Sequence, residues 1–280
     1  MNILKFFLFP AIAVLTTIPV FAQKSPRQHY NLINAVPKEE MRKMETDRPD
    51  VTESPSTVDA GHFQYEADLF RFERQRDGKT DQKKLLFNQA NLKLGLSGST
   101  DIQAVLQSYG QQTEKDLITS SKNTSKGIGA LTLRIKQNML GNYRGDFGLA
   151  IMPYLSFPTS NIEDQPKYEY GLILPMQLKL SGEWTLGFQL EADRLKDQRE
   201  NNMHTELLQT LSLSHEIVKG LDGIGETYYT YDFKQHHWSN FLNAAFKLEI
   251  SKNFLIDAGL NYGLQHDAEK NYFIGTSFRL

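Results

Sequence analysis

The chain has 280 residues, with 31 Lys and Arg against 33 Asp and Glu, and it contains no cysteine. This near-neutral charge excludes the basic surface that nucleic-acid binding needs. The lack of cysteine excludes disulfide bonds, thiolate metal sites and a cysteine nucleophile. Aromatic residues make up 11% of the chain, and 40% of its residues are hydrophobic. The aromatic fraction is high for so polar a chain, and it directs attention to a membrane.

Residues 1–22 have the features of an export signal. Lys5 precedes an apolar run that ends near Val20, and Ala22 offers a small residue at a cleavage site. An uncleaved anchor helix is the alternative, but the run is short and is interrupted by Pro10 and Pro19. We therefore expect cleavage after Ala22 and export of the remaining chain. Residues 23–59 are polar and proline-rich, which predicts a flexible periplasmic segment.

From residue 60 onward, apolar and polar residues alternate in short segments. In one of them Leu131, Leu133 and Ile135 alternate with Arg134 and Lys136. Alternation with a period of two is typical of a strand that has one apolar and one polar face. The sequence predicts about twelve such strands, centred on residues 62–73, 85–96, 100–109, 127–138, 146–157, 168–180, 184–194, 205–217, 222–231, 237–250, 254–264 and 271–280.

The connections between these strands alternate between short and long. Short turns such as Ser97–Ser99 and Ser181–Glu183 follow every second strand. The intervening polar stretches are mostly longer, at 74–84, 110–126, 158–167, 195–204, 232–236 and 265–270. Short periplasmic turns, long extracellular loops and strands of about ten residues are the pattern of outer-membrane barrels. We therefore predict an all-β fold, a single antiparallel up-and-down transmembrane barrel over residues 60–280.

A soluble β-sandwich or a lipocalin-like barrel is the rival fold, with the apolar face turned inward. The polar residues on the opposite face of nearly every strand argue against it. The aromatic residues argue against it as well, because they fall at strand ends and on the apolar face, as they do in the two interfacial girdles of a membrane barrel. The predicted girdle residues are Phe147, Trp184, Phe254 and Phe278 beside the short turns, and Tyr168, Tyr170, Trp238, Tyr262 and Tyr272 beside the long loops.

The block before and within the first strand begins with Thr-Asp-Arg-Pro-Asp at 46–50 and continues to Gly-His-Phe-Gln at 61–64. With these residues the chain resembles a known family, called putative MetA-pathway of phenol degradation. The resemblance extends over residues 46–280, and the hairpin around Gly95–Asp101 and the last two strands contribute to it. It implies an outer-membrane barrel that passes small organic molecules, whereas the family name does not establish a substrate. The most specific matching residues are Thr46, Asp47, Arg48, Pro49, Asp50, Thr52, Glu53, Ser54, Pro55, Ala60, Gly61, His62, Phe63 and Gln64.

The polar faces of the strands supply the candidate solute path. Both signs of charge occur there, so a strongly ion-selective pore is not indicated. In channels such residues tune which solutes pass, and in a barrel of twelve strands they could instead pair with one another and fill the interior. Both interpretations remain open at this point. The candidate lumen residues are Gln89, Asn91, Lys93, Asp101, Gln103, Arg134, Lys136, Gln177, Lys179, Gln189, Glu191, Lys247, Glu249, Asp257 and Asn261.

The charged block before the first strand could fold into the periplasmic mouth as a gate. Its residues are Asp47, Arg48, Asp50 and Glu53. The alternative is a solvated linker that its prolines keep extended. The sequence favours the linker, because the block has no apolar residue that would dock it firmly.

An enzyme embedded in the barrel wall is a further alternative. His237 and Ser239 are two residues apart and share a face of their strand, as a base and a nucleophile must. Alternation turns this pair toward the lumen, whereas the hydrolysis of lipid needs it on the outer face. The sequence contains no phosphate loop, zinc motif or calcium loop, so no cofactor or metal is predicted.

These patterns together predict an outer-membrane channel for the passive diffusion of small organic solutes, with aromatic compounds as a candidate class. A lipid-modifying hydrolase and a filled structural or adhesive barrel are the alternatives. The expected partners are outer-membrane lipid, the solutes and, during biogenesis, the barrel assembly machinery, without nucleic acid.

Overall fold

The computed structural model describes residues 30–142, 144–162, 167–197 and 202–280. The predicted signal peptide, residues 1–22, lies outside them. The described chain forms a sheet of thirteen strands. In chain order these are β1 (Phe63–Arg76), β2 (Thr80–Gly95), β3 (Thr100–Asp116), β4 (Lys122–Gly127), β5 (Leu131–Leu140), β6 (Phe147–Phe157), β7 (Glu169–Lys179), β8 (Trp184–Lys196), β9 (Met203–Val218), β10 (Leu221–Asp232), β11 (His237–Ser251), β12 (Phe254–Gly263) and β13 (Lys270–Arg279).

Twelve of these strands close into an antiparallel barrel. β1 pairs with β2 on one side and with β13 on the other, so the sheet returns on itself. β3 pairs with β5 over residues 100–106 and with β4 over residues 110–115. The predicted all-β transmembrane barrel is confirmed, and each of the twelve predicted strands is present. The strand that the sequence analysis missed is β4, because its sequence Lys-Asn-Thr-Ser-Lys-Gly is polar throughout and shows no alternation.

The two faces of the wall differ in polarity as the alternation predicts. On β5 the side chain of Ile135 is 52% exposed on the outside, whereas its neighbour Lys136 is completely buried inside. The other barrel strands show the same contrast between exposed apolar side chains on the outside and covered polar side chains on the inside. The apolar residues therefore form the lipid-facing surface, and the polar residues line the lumen.

Simple alternation is interrupted at several bulges, among them Leu69 of β1, Met139 of β5 and Asn88 of β2. Asn88 on β2 has a positive φ of 51°, and the register skips the pair that it would make with Ser108. This bulge changes which face the following residues occupy. Phe87 lies outside against Phe70 and Tyr109, and Leu86 is buried inside. Leu86 and Phe87 therefore lie on the opposite faces to those that unbroken alternation from Leu92 would give them.

Two predicted loops are mostly strand. Over residues 74–84 the chain makes only the short connection 77–79 between β1 and β2, and over 110–126 it makes the connection 117–121 between β3 and β4. These strands extend the wall at the end of the barrel that carries the long loops. In the remaining described loops, the long-loop assignment matches the structure.

The predicted girdle residues lie mainly on the outer surface. Trp184 and Phe254 are exposed at the short-turn end, and the tyrosines of the long-loop end are exposed as well. Phe278 is partly covered because it stacks on Tyr65, with ring centroids 4.9 Å apart. Within the described residues, no helix is long and apolar enough to cross a membrane.

Candidate functional site in the barrel lumen

The N-terminal segment lies inside the barrel. We call residues 42–59 the plug segment, because their backbone and side chains bond to the inner wall. The prediction of a flexible periplasmic segment over 23–59 was therefore wrong for residues 42–59. The sequence favours a solvated linker for the charged block because it has no apolar residue to dock it. It docks nevertheless, through ion pairs and hydrogen bonds.

Arg48 is the deepest cation of the plug segment. Its Nη1 bonds Asp68 of β1 at 2.5 Å, and its Nη2 bonds Asp257 of β12 at 2.5 Å. Gly275 of β13 makes room for it, since a Cβ there would lie 1.9 Å from the guanidinium. The planar guanidinium can satisfy two carboxylates at once, which makes this contact directional as well as charged. Arg48 therefore binds the plug segment to β1 and β12, two strands from opposite ends of the sequence that lie near the closure of the barrel.

Asp47 binds the lysines of the neighbouring wall. Its carboxylate accepts from Lys136 of β5 at 2.7 Å and forms an ion pair with Lys93 of β2. Lys93 in turn contacts Glu66 of β1, whose Oε2 accepts the Asp47 backbone N–H at 3.0 Å. These groups are buried, so each charge depends on its partners. A buried ion pair that loses one member leaves an uncompensated charge, which is costly.

The turn of the plug segment is held by the far wall. Glu226 of β10 accepts the backbone N–H groups of Val51 at 2.9 Å and Thr52 at 2.7 Å. The Thr52 hydroxyl also lies 2.6 Å from that of Thr210 on β9. A carboxylate that accepts main-chain N–H groups recognises backbone geometry. This contact therefore fixes the path of the segment across the lumen.

Glu53 and Asp59 complete the attachment. Glu53 accepts from Arg134 of β5 at 2.6 Å. Asp59 binds Arg42 of the same segment at 2.7 Å and Arg279 of β13 at 3.0 Å. The plug segment is thus bonded to both sides of the lumen along its length.

Two carboxyl groups of the plug segment have raised pKa values. Burial, together with the nearby charge of Glu226, raises the pKa of Asp50 to about 7. Burial, together with Asp47, raises the pKa of Glu53 to about 7. Burial alone would raise the pKa of Asp47 too, but Lys136 and Lys93 outweigh it and hold that pKa below its ordinary value. The docked plug segment therefore contains carboxyl groups that titrate near neutral pH.

The predicted lumen residues divide into two groups. One group contacts the plug segment directly and comprises Lys93, Asp101, Arg134, Lys136, Gln189, Glu249 and Asp257. In the other group, Gln103 links Asn91 and Asp101, and Glu191 accepts from Gln189. The remaining members of this group line cavities or other parts of the inner wall and are Gln89, Gln177, Lys179, Lys247 and Asn261.

Two cavities flank the plug segment at the short-turn end. One has a volume of about 420 Å³ and is lined by Asp50, Lys247 and Glu249. The other has a volume of about 430 Å³ and reaches Arg42 and Asp59. Gln177 and Lys179 of β7 line both cavities. The space left beside the plug segment is therefore concentrated along β7.

Sequence reasoning missed a group of aromatic side chains inside the barrel. Tyr228 of β10 stacks on Phe241 of β11 with ring centroids 4.6 Å apart, and it bonds Asn261. Phe273 of β13 lies under the guanidinium groups of Arg48 and Arg71, at 5.6 and 5.3 Å. The signal was present, because Tyr228 shares a face with Glu226 and Phe273 shares one with Asn271. The lumen candidates comprise only the polar residues of these faces, so the aromatic residues beside them were missed.

The possible catalytic pair does not form a site. His237 pairs with Asp232 in the register of β10 and β11, and its side chain is exposed. No hydrogen bond joins His237 to Ser239 in the described part of the chain. The described residues also contain no group of three or more His, Asp or Glu side chains that could hold a metal ion.

Comparison with known families identifies the chain. The family model described as "Putative MetA-pathway of phenol degradation" matches residues 46–280. The protein belongs to this family. The match begins within the plug segment, so this docked segment and the barrel are covered by one family model.

Solved structures confirm the fold. An outer membrane channel from Pseudomonas putida F1 superposes with a TM-score of 0.59 at 12% identity, covering 84% of this chain and all of that one. The NanC porin superposes with a TM-score of 0.50 at 10% identity, covering 77% of this chain and all of that one. No curated protein matches the sequence. The family and the fold place this protein in the outer membrane as a closed β-barrel.

Proposed function

We propose that this protein is an outer-membrane channel for the passive diffusion of small organic solutes, and that the plug segment controls the opening of its lumen. The carrying observation is the way in which the lumen is occupied. The plug segment crosses it on ion pairs and hydrogen bonds, such as those of Arg48 and Glu226, instead of an apolar core. Polar contacts can be exchanged for water, so such a segment can leave the lumen while exposing only a few apolar side chains, such as Met44 and Val58.

The aromatic side chains of the lumen support aromatic compounds as a solute class. Tyr228, Phe241 and Phe273 lie on the inner face of the wall, where Tyr228 and Phe273 are less than a tenth exposed while the plug segment is docked. Aromatic rings attract other rings by about 0.5–1.5 kcal/mol beyond their buried area. Contacts of this strength would guide an aromatic solute and still release it, as conduction requires.

A filled structural barrel is the second candidate. The observation that favours it is the extent of the plug contacts, since a segment bonded on both sides of the lumen could be a permanent part of the interior. In that case the lumen would not conduct whatever the state of Arg48. The proposed channel carries out no bond-making chemistry, and in the described part of the chain His237 and Ser239 form no hydrogen bond that would support a wall hydrolase.

Planar-bilayer conductance of refolded residues 23–280 tests the proposal. We expect discrete openings in the unaltered protein, and more frequent or larger ones in Arg48→Ala, because that substitution detaches the plug segment from Asp257 and Asp68, leaving Asp257 without its arginine and Asp68 with Arg71 alone. Lys252→Gln, at an exposed short turn, is the control for charge loss and should behave like the unaltered protein. A barrel that folds, as judged by heat-modifiable gel mobility, and never conducts in either form would refute the channel.

A further inference from the structure

The outer surface of the barrel carries a basic patch at its long-loop end. Arg74 of β1 lies directly opposite Lys270 of β13 on one side and Lys83 of β2 on the other. Farther along the same extension, Lys115 of β3 lies opposite Lys122 of β4. Like charges directly opposite each other destabilise a sheet. Because the strand register nevertheless places these basic side chains opposite one another, we expect an anion from outside the chain to neutralise them.

Two surface grooves show that these side chains face outward. A groove of about 570 Å³ and another of about 590 Å³ share Phe72 in their linings. Together they contain six basic side chains and one carboxylate, that of Asp81. We call the six the basic rim. They are Arg74, Arg76, Lys83, Lys115, Lys122 and Lys270.

Within the described residues, the six cations of the basic rim share one carboxylate in their grooves, that of Asp81, which lies opposite Arg76 and Lys115 in the register. Arg74 is paired with Asp81 at 2.9 Å, and the Lys270 ammonium lies 4.2 Å from the centre of the Tyr262 ring. No ion pair involves the other four members in the part of the chain that the structure describes. Their charges are therefore available to an external anion.

The basic rim lies at a definite height on the barrel. Lys270 contacts the girdle residue Tyr262, and Arg74 follows Phe72 on the outer face of β1. Aromatic girdles mark the level of the lipid headgroups. The long-loop end is the extracellular end, so the headgroups at this level belong to the outer leaflet.

We propose that the basic rim binds the phosphate groups of a phosphorylated glycolipid in the outer leaflet, with the acyl chains along the apolar side chains below. Basic residues near an anionic lipid surface contribute about 1 kcal/mol each to binding. Grooves of several hundred Å³ have room for a sugar phosphate. This site is on the outside of the wall, so it is independent of whether the lumen conducts.

Binding of lipid A to the detergent-solubilised mature protein tests the proposal. The outer triple variant is Lys83→Ala with Lys115→Ala and Lys122→Ala. The matched control removes the same charge from inside the barrel, through Lys84→Ala, Lys179→Ala and Lys247→Ala. We expect the outer variant to bind lipid A on the order of tenfold or more weakly, and the control to bind within about twofold of the unaltered protein.

Two further arms identify the ligand group. Lipid A stripped of its phosphates should bind both variants equally and weakly. Inorganic phosphate alone should compete poorly, because it lacks the chains that lie on the apolar surface. Equal loss in both triple variants, undiminished binding of the stripped lipid, or inorganic phosphate binding as tightly as lipid A would each overturn the proposal. If the outer triple variant does not fold, the same comparison is made with Lys83→Gln against Lys84→Gln.

Discussion

The two ends of the lumen are built from the same twelve strands and are occupied differently. Near the short turns, carboxylates and bases such as Asp257 and Lys136 are neutralised by the plug segment. Toward the long loops, the wall presents aromatic rings such as Tyr228 and Phe241, which pair with each other. The difference teaches that charge in a barrel interior can serve to hold a segment of the chain, while other residues of the same wall stay free of that role.

The largest expected effect comes from filling the space under Arg48. In Gly275→Val the new side chain would occupy the position of the guanidinium, which lies 1.9 Å from an ideal Cβ. We expect the plug segment to lose its attachment to Asp68 and Asp257 and to become sensitive to protease in intact barrels. Gly225→Val is the control, because a Cβ there meets nothing within 4 Å. Equal protease resistance in both variants would contradict the account.

The next effect is a dependence on pH. The pKa values of Asp50 and Glu53 are raised to about 7 in the docked state, so this state binds protons more readily than a released one. Docking is therefore strongest below the ordinary carboxyl pKa of about 4 and weakens as the pH rises from there to about 7. We expect conductance to increase between about pH 5 and pH 7 and then to level off, and Asp50→Asn with Glu53→Gln to flatten this profile. A profile that rises toward acid pH would show that the sign is wrong.

A smaller effect is expected at the aromatic rings. Phe241→Leu removes the stack with Tyr228, which is worth about 0.5–1.5 kcal/mol. We expect a several-fold loss of preference for aromatic over aliphatic solutes of equal size in liposome-swelling rates, with little change in ion conductance. Phe233→Leu is the comparison, since Phe233 is exposed in the connection after β10. If the two variants show the same preference, the rings of the lumen have no part in selection.

No effect on solute flux is expected at the possible catalytic pair, His237 and Ser239. His237→Ala and Ser239→Ala should leave solute flux unchanged, because neither side chain bonds the plug segment or the other. Ester hydrolysis by the unaltered protein that either substitution abolishes would instead support the wall enzyme.

The barrel could be predicted from the sequence because its strands place apolar residues toward the lipid and polar residues toward the lumen. Ile135 and Lys136 are neighbours in the chain and lie on opposite faces, and this contrast repeats in the twelve strands that close the barrel, apart from their bulges. The bulge at Asn88 could not be predicted, since nothing in the residue types around Phe87 shows that the backbone adopts a positive φ there. Strand β4 was missed because it lies at the extended rim, where no apolar face is needed.

The docking of the plug segment could not be predicted for a different reason. Its charges are typical of a solvated linker, and their partners are distributed over strands far away in the chain. Arg48 binds Asp257, which is 209 residues away. The charges of a linker and of a docked segment look alike until the register of the wall is known. Residue types thus located the lumen, and the fold was needed to show what occupies it.

The most direct test of the central claim uses a chain that contains no cysteine of its own. The Thr52 and Thr210 hydroxyl oxygens lie 2.6 Å apart, so Thr52→Cys with Thr210→Cys can cross-link the plug segment to β9. Conductance is then measured in the oxidised and reduced forms of the same protein. If the plug segment controls the lumen, the oxidised form stays closed and reduction restores openings. Equal conductance in the two forms would contradict the account.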